Sequence, residues 1–286
     1  RRFLGRYFIV GKESIWISYE KKEWDYVKIP WLNRSAGGWN WVNPTYELAK
    51  EYEMLNGKLP EEAESGYDFN DPGKNRDPRF KATISYPGAQ YDAYGFKPWQ
   101  GGSASHLQSQ KTGMCLQKYI DPLFNDALGL PRNLRKNINH LFRYNEILLI
   151  YAEAMNEAYG PEGVTDELNL SARDAINMVR GRSGLGIAAL TSEDVSSKKE
   201  FRQALRKERM AELAFEDHRF WDIRRWKIGE ETTKIKRVSI SKAGDKYSFE
   251  YSVTADRIWD DKMYFYPIPQ SEIYKNPKLV QNPGWK

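Results

Sequence analysis

The chain holds one cysteine, Cys115, and three histidines, His106, His140 and His218, among 286 residues. A lone cysteine excludes an intrachain disulfide, and histidines this far apart form no zinc-binding helix motif. No Gly-rich phosphate loop, dinucleotide fingerprint or nucleophile elbow is present. Long apolar runs are missing as well. None nears the roughly 20 residues that a membrane-spanning helix requires. In the first segment, RRFLGRYFIVG, the uninterrupted apolar stretch is only Tyr7–Val10. That is too short to read as a secretory signal. The chain also lacks a strong excess of either charge: 44 basic and 39 acidic residues leave a net charge of +5. The signs interleave, as in KKEWD (21–25) and RKERMAE (206–212). A nucleic-acid binder would show a basic stripe or a reading motif; with neither, no nucleic-acid partner is expected.

Aromatic residues are plentiful by contrast. Six of the ten tryptophans fall in the first hundred residues, Trp16, Trp24, Trp31, Trp39, Trp41 and Trp99, among many Gly, Asn and Pro. A tryptophan in a loop offers a flat apolar face with a polar edge, which suits recognition. Up to about residue 135 the chain reads as loops with short elements. Ser14–Tyr19 is β-branched and aromatic enough for a strand. Pro44 and Thr45 open a helical segment with Tyr46, Ala49, Tyr52 and Leu55 spaced by three, closed at Gly57.

From His140 the periodicity becomes helical. Tyr144, Leu148, Tyr151, Met155 and Ala158 form an apolar stripe, widened by Ile147 and Ala154, wide enough to be packed on more than one side. Gly160-Pro161 ends it. Ser171 with Asp174 reads as a capping box for the next helix, which Gly181–Gly186 closes. A third helix is expected over about 198–215, with Arg209/Glu212 and Glu216/Arg219 as short-range pairs. Exposed pairs of this kind contribute about 0.2–0.5 kcal/mol each. Ile235–Val253, broken by Ala243-Gly244-Asp245, predicts a β-hairpin. Tyr264–Ile268 is held extended by Pro267 and Pro269, and Ser271 is placed to cap one further turn.

The order of segments carries a resemblance. LFRYNEILLIYAEAMNEA (141–158), ARDAINMVRGRSG (172–184), RKERMAELAFEDHRFWDIRRW (206–226) and the tail YFYPIPQSEIYKNPKLVQNPGW (264–285) resemble the C-terminal half of the SusD/RagB family. So do PTYELAKEYEMLNGKLP (44–60), KNRDPRFKATI (74–84) and LQKYIDP (116–122) upstream. The resemblance implies a mostly α fold: a SusD-like helical core with long irregular loops and a small β-hairpin. It also implies a single C-terminal domain over 1–286. Within it, 1–139 is the loop-rich, ligand-binding part, 140–226 the helical core, and 227–286 the hairpin and Pro-rich tail. Family members are about twice this length, so the chain is expected to be the second half of a longer protein.

Functionally the resemblance implies non-catalytic capture of an oligosaccharide at the outward face of the bacterial outer membrane. The captured glycan would pass to a SusC-like TonB-dependent transporter. Contact with the membrane would come only through a lipid anchor on the missing N-terminal part. No cofactor or metal is expected. Some relatives serve peptide import, so a peptide ligand stays open, as does a surface glycoside hydrolase or a scaffold without a ligand.

The expected glycan-contacting residues are Trp31, Asn33, Arg34, Trp39, Asn40 and Trp41 in one loop and Tyr91, Tyr94 and Trp99 in another. Sugar C–H faces stack on flat aromatics, while Asn and Arg address hydroxyls. Trp39 and Trp41 have a second reading, as wedges holding the loop against the helices. The most catalytic-looking segment, EDHRFWDIRR (216–225), puts His218 and Asp222 on one helix face. Its arginines make a structural ionic network the preferred account. Asp68, Asn70 and Asp71 supply oxygen ligands without the rest of a calcium loop.

Overall fold

A computed structural model describes residues 13–20, 42–86, 112–118 and 137–285. Strand β1 (Ser14–Glu20) pairs antiparallel with β4 (Asn137–Arg143), with register shifts at Trp16. Between them in the chain lie the short helices α1 (Tyr46–Glu51) and α2 (Pro78–Thr83) and a two-residue antiparallel pair, β2 (Ile84–Ser85) with β3 (Cys115–Leu116). Helix α1 starts where expected, the Thr45 hydroxyl accepting from the Leu48 amide at 3.3 Å. It stops at Glu51, well short of Gly57, because Met54 leaves the helix to bridge Arg76.

The helical block follows: α3 (Tyr144–Tyr159), α4 (Ala172–Arg180), α5 (Lys198–Glu212) and α6 (His218–Arg225). The predicted capping box is present, with the Ser171 hydroxyl accepting from the Asp174 amide and the Asp174 carboxylate accepting from the Ser171 amide. Helix α3 begins at Tyr144 and not at His140, because 137–143 is committed to pairing with β1. Its buried face overlaps the predicted stripe in part: Leu148 and Met155 are buried as expected and Leu149 and Ala152 join them, whereas Tyr144, Ile147, Ala154 and Ala158 of the stripe are exposed. The face is turned by two buried asparagines. Asn145 donates to Glu212 at 2.8 Å, and Asn156 to the Lys198 carbonyl at 3.1 Å. Apolar periodicity cannot see such polar anchors.

The hairpin β5 (Lys234–Ala243) and β6 (Lys246–Asp256) forms as predicted, with Gly244 at φ +61° in the turn. A bulge between Ile235 and Lys236 keeps Ile235, Val238 and Ile240 on one buried face despite their odd spacing. The tail carries α7 (Gln270–Lys275). Ser271 lies inside its first turn, Pro269 being the cap position.

Two apolar clusters result. One joins α3, α4 and α5 through Leu149, Ile176, Val179, Phe201 and Leu205. The other joins α1, α2 and β5 through Tyr52, Phe80, Ile84, Val238 and Ile240, with Ala211 of α5. Between them lies a buried ionic network. Arg79 of α2 reaches Asp77 at 2.7 Å, Glu208 at 2.5 Å and Glu212 at 2.9 Å. Arg182 binds Glu212 through both terminal nitrogens at 2.7 and 2.6 Å. Arg143 bridges Glu212 and Glu216 at 2.5 and 2.7 Å, and Lys118 closes on Glu216 at 2.7 Å. Arg180 links Glu208 to Glu53 at 3.0 and 2.5 Å. The expected short-range pairs Arg209/Glu212 and Glu216/Arg219 are therefore not the ones formed. Arg209 turns instead to Asp222 at 3.1 Å. Burial works to raise the Glu212 carboxyl, but Arg143, Arg182 and Arg79 hold it far below the ordinary value. Glu208 and Glu216 are lowered in the same way, against burial, by Arg79 with Arg180 and by Lys118 with Arg143.

Two outcomes follow for stability. Leu149→Ala should cost about 2–5 kcal/mol in denaturant melts, and Ile147→Ala on the exposed face no more than about 0.5. Equal losses would place the buried face where the apolar stripe alone puts it. For the network, carboxylates depressed in the folded state stabilise it above their unfolded value, about 4.3. That stability drains away as pH falls through the folded values. Thermal melts should therefore fall steadily below about pH 4.3. Glu212→Gln should flatten that acid limb and cost about 3–5 kcal/mol at neutral pH, because it strips a shared anionic partner from buried Arg79 and from the partly buried Arg143 and Arg182.

Candidate ligand-binding pocket

Helix α1, the turn-rich segment 57–73 and the inner face of the hairpin enclose a pocket of about 140 Å³. Its walls are aromatic because each element contributes rings to one side. Tyr46 of α1 packs on Tyr251 of β6 with centroids 4.3 Å apart. Phe69 bridges Tyr67 at 5.0 Å and Phe249 at 6.2 Å. Phe80 meets Tyr86 at 5.1 Å. Val238, Ile240 and Met114 complete the apolar lining, and Lys50, Glu61 and Arg76 are its charged members. The Tyr46 hydroxyl donates to Glu61. Asn70, a suspected calcium ligand, accepts instead from the Tyr247 amide at 3.2 Å, and Asp68 accepts from the Asn70 amide at 2.9 Å. These side chains tie the turn segment to the hairpin and to itself.

Burial raises all four pocket tyrosines. Tyr67 and Tyr86 are pushed up to about 12. Tyr46 and Tyr251 are raised as well, by burial first. The walls are thus neutral phenols at physiological pH, able to donate and accept hydrogen bonds but not to act as phenolate nucleophiles. Among the described residues Glu61 is the single carboxylate in the lining. The arrangement suits holding a ring-shaped ligand with a few polar groups.

All nine expected contact residues lie outside the described residues: Trp31, Asn33, Arg34, Trp39, Asn40 and Trp41 within 21–41, and Tyr91, Tyr94 and Trp99 within 87–111. The structure does define where those two segments are rooted. The first leaves the end of β1, whose exposed Trp16 stacks on Phe142 of β4 at 6.0 Å. The second leaves at Tyr86 and returns at Thr112, and both Tyr86 and Met114 line the aromatic pocket. The returning chain is tightly seated. The Val238 amide donates to the Thr112 carbonyl at 2.9 Å, and Gly113, at φ +78°, lies so near β5 that a Cβ would meet the Val238 carbonyl at 1.8 Å.

Sequence reasoning missed the pocket residues as a site. Tyr247, Phe249 and Tyr251 alternate on one face of β6, a signal that could have flagged the hairpin. Nothing local joined them to Tyr46, Tyr67 or Arg76, which reach them only through tertiary packing. In EDHRFWDIRR, Asp222 is engaged by Arg209 and by Arg225 at 2.7 Å. His218 faces Glu146 at 3.8 Å. The carboxylate that could have oriented the imidazole is thus taken by arginines, as the preferred structural account has it.

The described residues thus form an α-helical block with a small hairpin and an aromatic pocket. The SusD family model matches residues 12–285, and the chain belongs to that family. A SusD-like protein of Bacteroides fragilis NCTC 9343 superposes with a TM-score of 0.72 at 30% identity, covering 96% of this chain and 55% of its own. A SusD-like carbohydrate binding protein from the same strain gives 0.69 at 28%, covering 94% and 55%. The SusD-like protein P2 of Formosa agariphila is 31% identical over 147 residues, which is 50% of this chain and 25% of that protein. The chain thus spans about half the length of the solved relatives and a quarter of the curated one.

The pocket tyrosines give a direct optical test. Ultraviolet titration of the folded protein should show a class of phenols ionising late, Tyr67 and Tyr86 near 12. On unfolding that class should merge with ordinary tyrosines at about 10. A single transition at the ordinary value in the folded state would mean an open, water-filled pocket.

Proposed function

We propose that this protein binds an oligosaccharide at the bacterial cell surface, without catalysis, and delivers it to a SusC-like TonB-dependent transporter. In the complete protein a lipid anchor holds it on the outward face of the outer membrane. The observation that carries the reading is the aromatic pocket at the root of segment 87–111, in a chain that shares its fold with a SusD-like carbohydrate binding protein. Tyr91, Tyr94 and Trp99, and Trp31, Asn33, Arg34, Trp39, Asn40 and Trp41, are the glycan contacts this reading assigns, the aromatics for stacking and Asn and Arg for hydroxyls. The arginine-locked Asp222, and a pocket lining with one carboxylate among the described residues, both favour holding a sugar over cleaving it.

Calorimetry against a panel of plant, algal and host oligosaccharides tests this. Binding is expected in the micromolar to millimolar range, about 4–8 kcal/mol. Trp99→Ala or Trp31→Ala should weaken it by about 1–3 kcal/mol, roughly 5- to 150-fold. Chromatography of the incubated panel should show intact sugars. Released products that persist in a clean preparation would overturn the non-catalytic reading, and preferential binding of peptides would overturn the glycan. Co-purification of the complete protein with a TonB-dependent barrel from its native membrane tests delivery.

A further inference from the structure

One buried charge in the pocket has no counter-charge. Arg76 is 5% exposed. Its guanidinium donates to the carbonyls of Tyr52 at 3.1 Å, Pro72 at 3.4 Å and Ala49, and lies over the rings of Phe80 at 4.1 Å and Tyr67 at 5.5 Å. The other buried arginines among the described residues, Arg79, Arg180 and Arg209, each hold a carboxylate at 2.5–3.1 Å. Among the described residues no carboxylate comes within ion-pair distance of Arg76. Neighbouring Asp77 is turned to Arg79 at 2.7 Å, and Glu61 is engaged by Tyr46. Carbonyl dipoles and ring faces offset part of the cost of burying a cation, but not as an anion would.

We propose that the pocket is a one-ring subsite for a hexose unit bearing an anionic group, a hexuronate carboxylate or a sulfate ester, with the anion directed to Arg76. This rests on the oligosaccharide-binding reading and names the class of sugar. A cavity near 140 Å³ takes one ring at most, and the exposed walls Phe69 and Tyr251 leave its mouth open for the substituents. The composition fits as well. Phe249 and Tyr251 present ring faces to sugar C–H bonds, the neutral tyrosine hydroxyls address ring hydroxyls, and Lys50 adds a second cation to the lining. A purely apolar occupant would satisfy the rings and leave the Arg76 charge, hydrogen-bonded to neutral carbonyls alone, without an anion. Of the five N–H donors of a guanidinium, the three carbonyls occupy three; an anion would share the remaining hydrogens of the two terminal nitrogens with Tyr67, which also meets this group, and would leave the clamp on Ala49, Tyr52 and Pro72 in place.

The test is calorimetry on the whole chain with three probes: trigalacturonate, a carrageenan-derived sulfated disaccharide, and neutral galactobiose. At least one acidic probe should bind tenfold or more tightly than the neutral one, and which acidic probe does so separates carboxylate from sulfate. Arg76→Met should abolish the preference. Because Arg76 also clamps backbone carbonyls, Tyr251→Ala at the half-exposed wall provides an independent variant and should weaken the favoured acidic probe at least fivefold. Equal affinity for acidic and neutral probes overturns this inference while leaving oligosaccharide binding intact. So does an affinity for the favoured acidic probe that Tyr251→Ala leaves unchanged. Failure of every sugar in the wider panel overturns both.

Discussion

Glu212 is the group on which the organisation of this protein depends. It sits at the end of α5, fully buried, and receives Arg79 from α2, Arg143 from the end of β4, and Arg182 from just beyond α4. Segments far apart in the chain thus meet on one carboxylate. One turn earlier, Glu208 gathers Arg79 and Arg180. Such an array is poor evidence of net stabilisation, since desolvating the charges costs nearly what their attraction returns. It does make the arrangement unforgiving, because removing any member strands the others. The two apolar clusters are held in register by charge rather than by a shared hydrophobic surface.

That register positions the pocket. Arg79 and Arg76 flank Asp77 at the start of α2, and they face different ways. Arg79 enters the ionic network, while Arg76 turns to the carbonyls of α1 and the 72 turn and lines the cavity. Locking α2 against α5 therefore also sets the place of Arg76 and Phe80 beneath the hairpin. The β5 bulge then aligns Val238 and Ile240 on the pocket side, and Gly113 allows the returning chain to lie against β5. The pocket is a by-product of three elements that no single stretch of sequence brings together.

Segment EDHRFWDIRR shows how the same residue types read differently before and after packing. As a sequence it offers an imidazole and a carboxylate four residues apart, the spacing of an oriented base. In the fold Asp222 is claimed by Arg209 and Arg225, and His218 looks toward Glu146. The helical spacing was legible, and so was the claim of the segment's own arginines on Asp222, which Arg225 makes good; the part of Arg209 was not, because it arrives from another helix.

The sequence by itself determined the mostly α character, the α4 capping box, the hairpin with its Gly244 turn and the family. These rest on contacts within a few residues or on the order of motifs along the chain. It did not determine which face of α3 is buried, since buried Asn145 and Asn156 carry no hydrophobic signature. Nor did it determine the partners of Glu212 and Glu216, for which nearby arginines were the obvious but wrong choice. Nor did it show the aromatic pocket. Those were decided by tertiary structure. A long flexible arginine or a tyrosine ring can satisfy many partners, and only three-dimensional packing, with the cost of leaving a buried charge unpaired, selects among them.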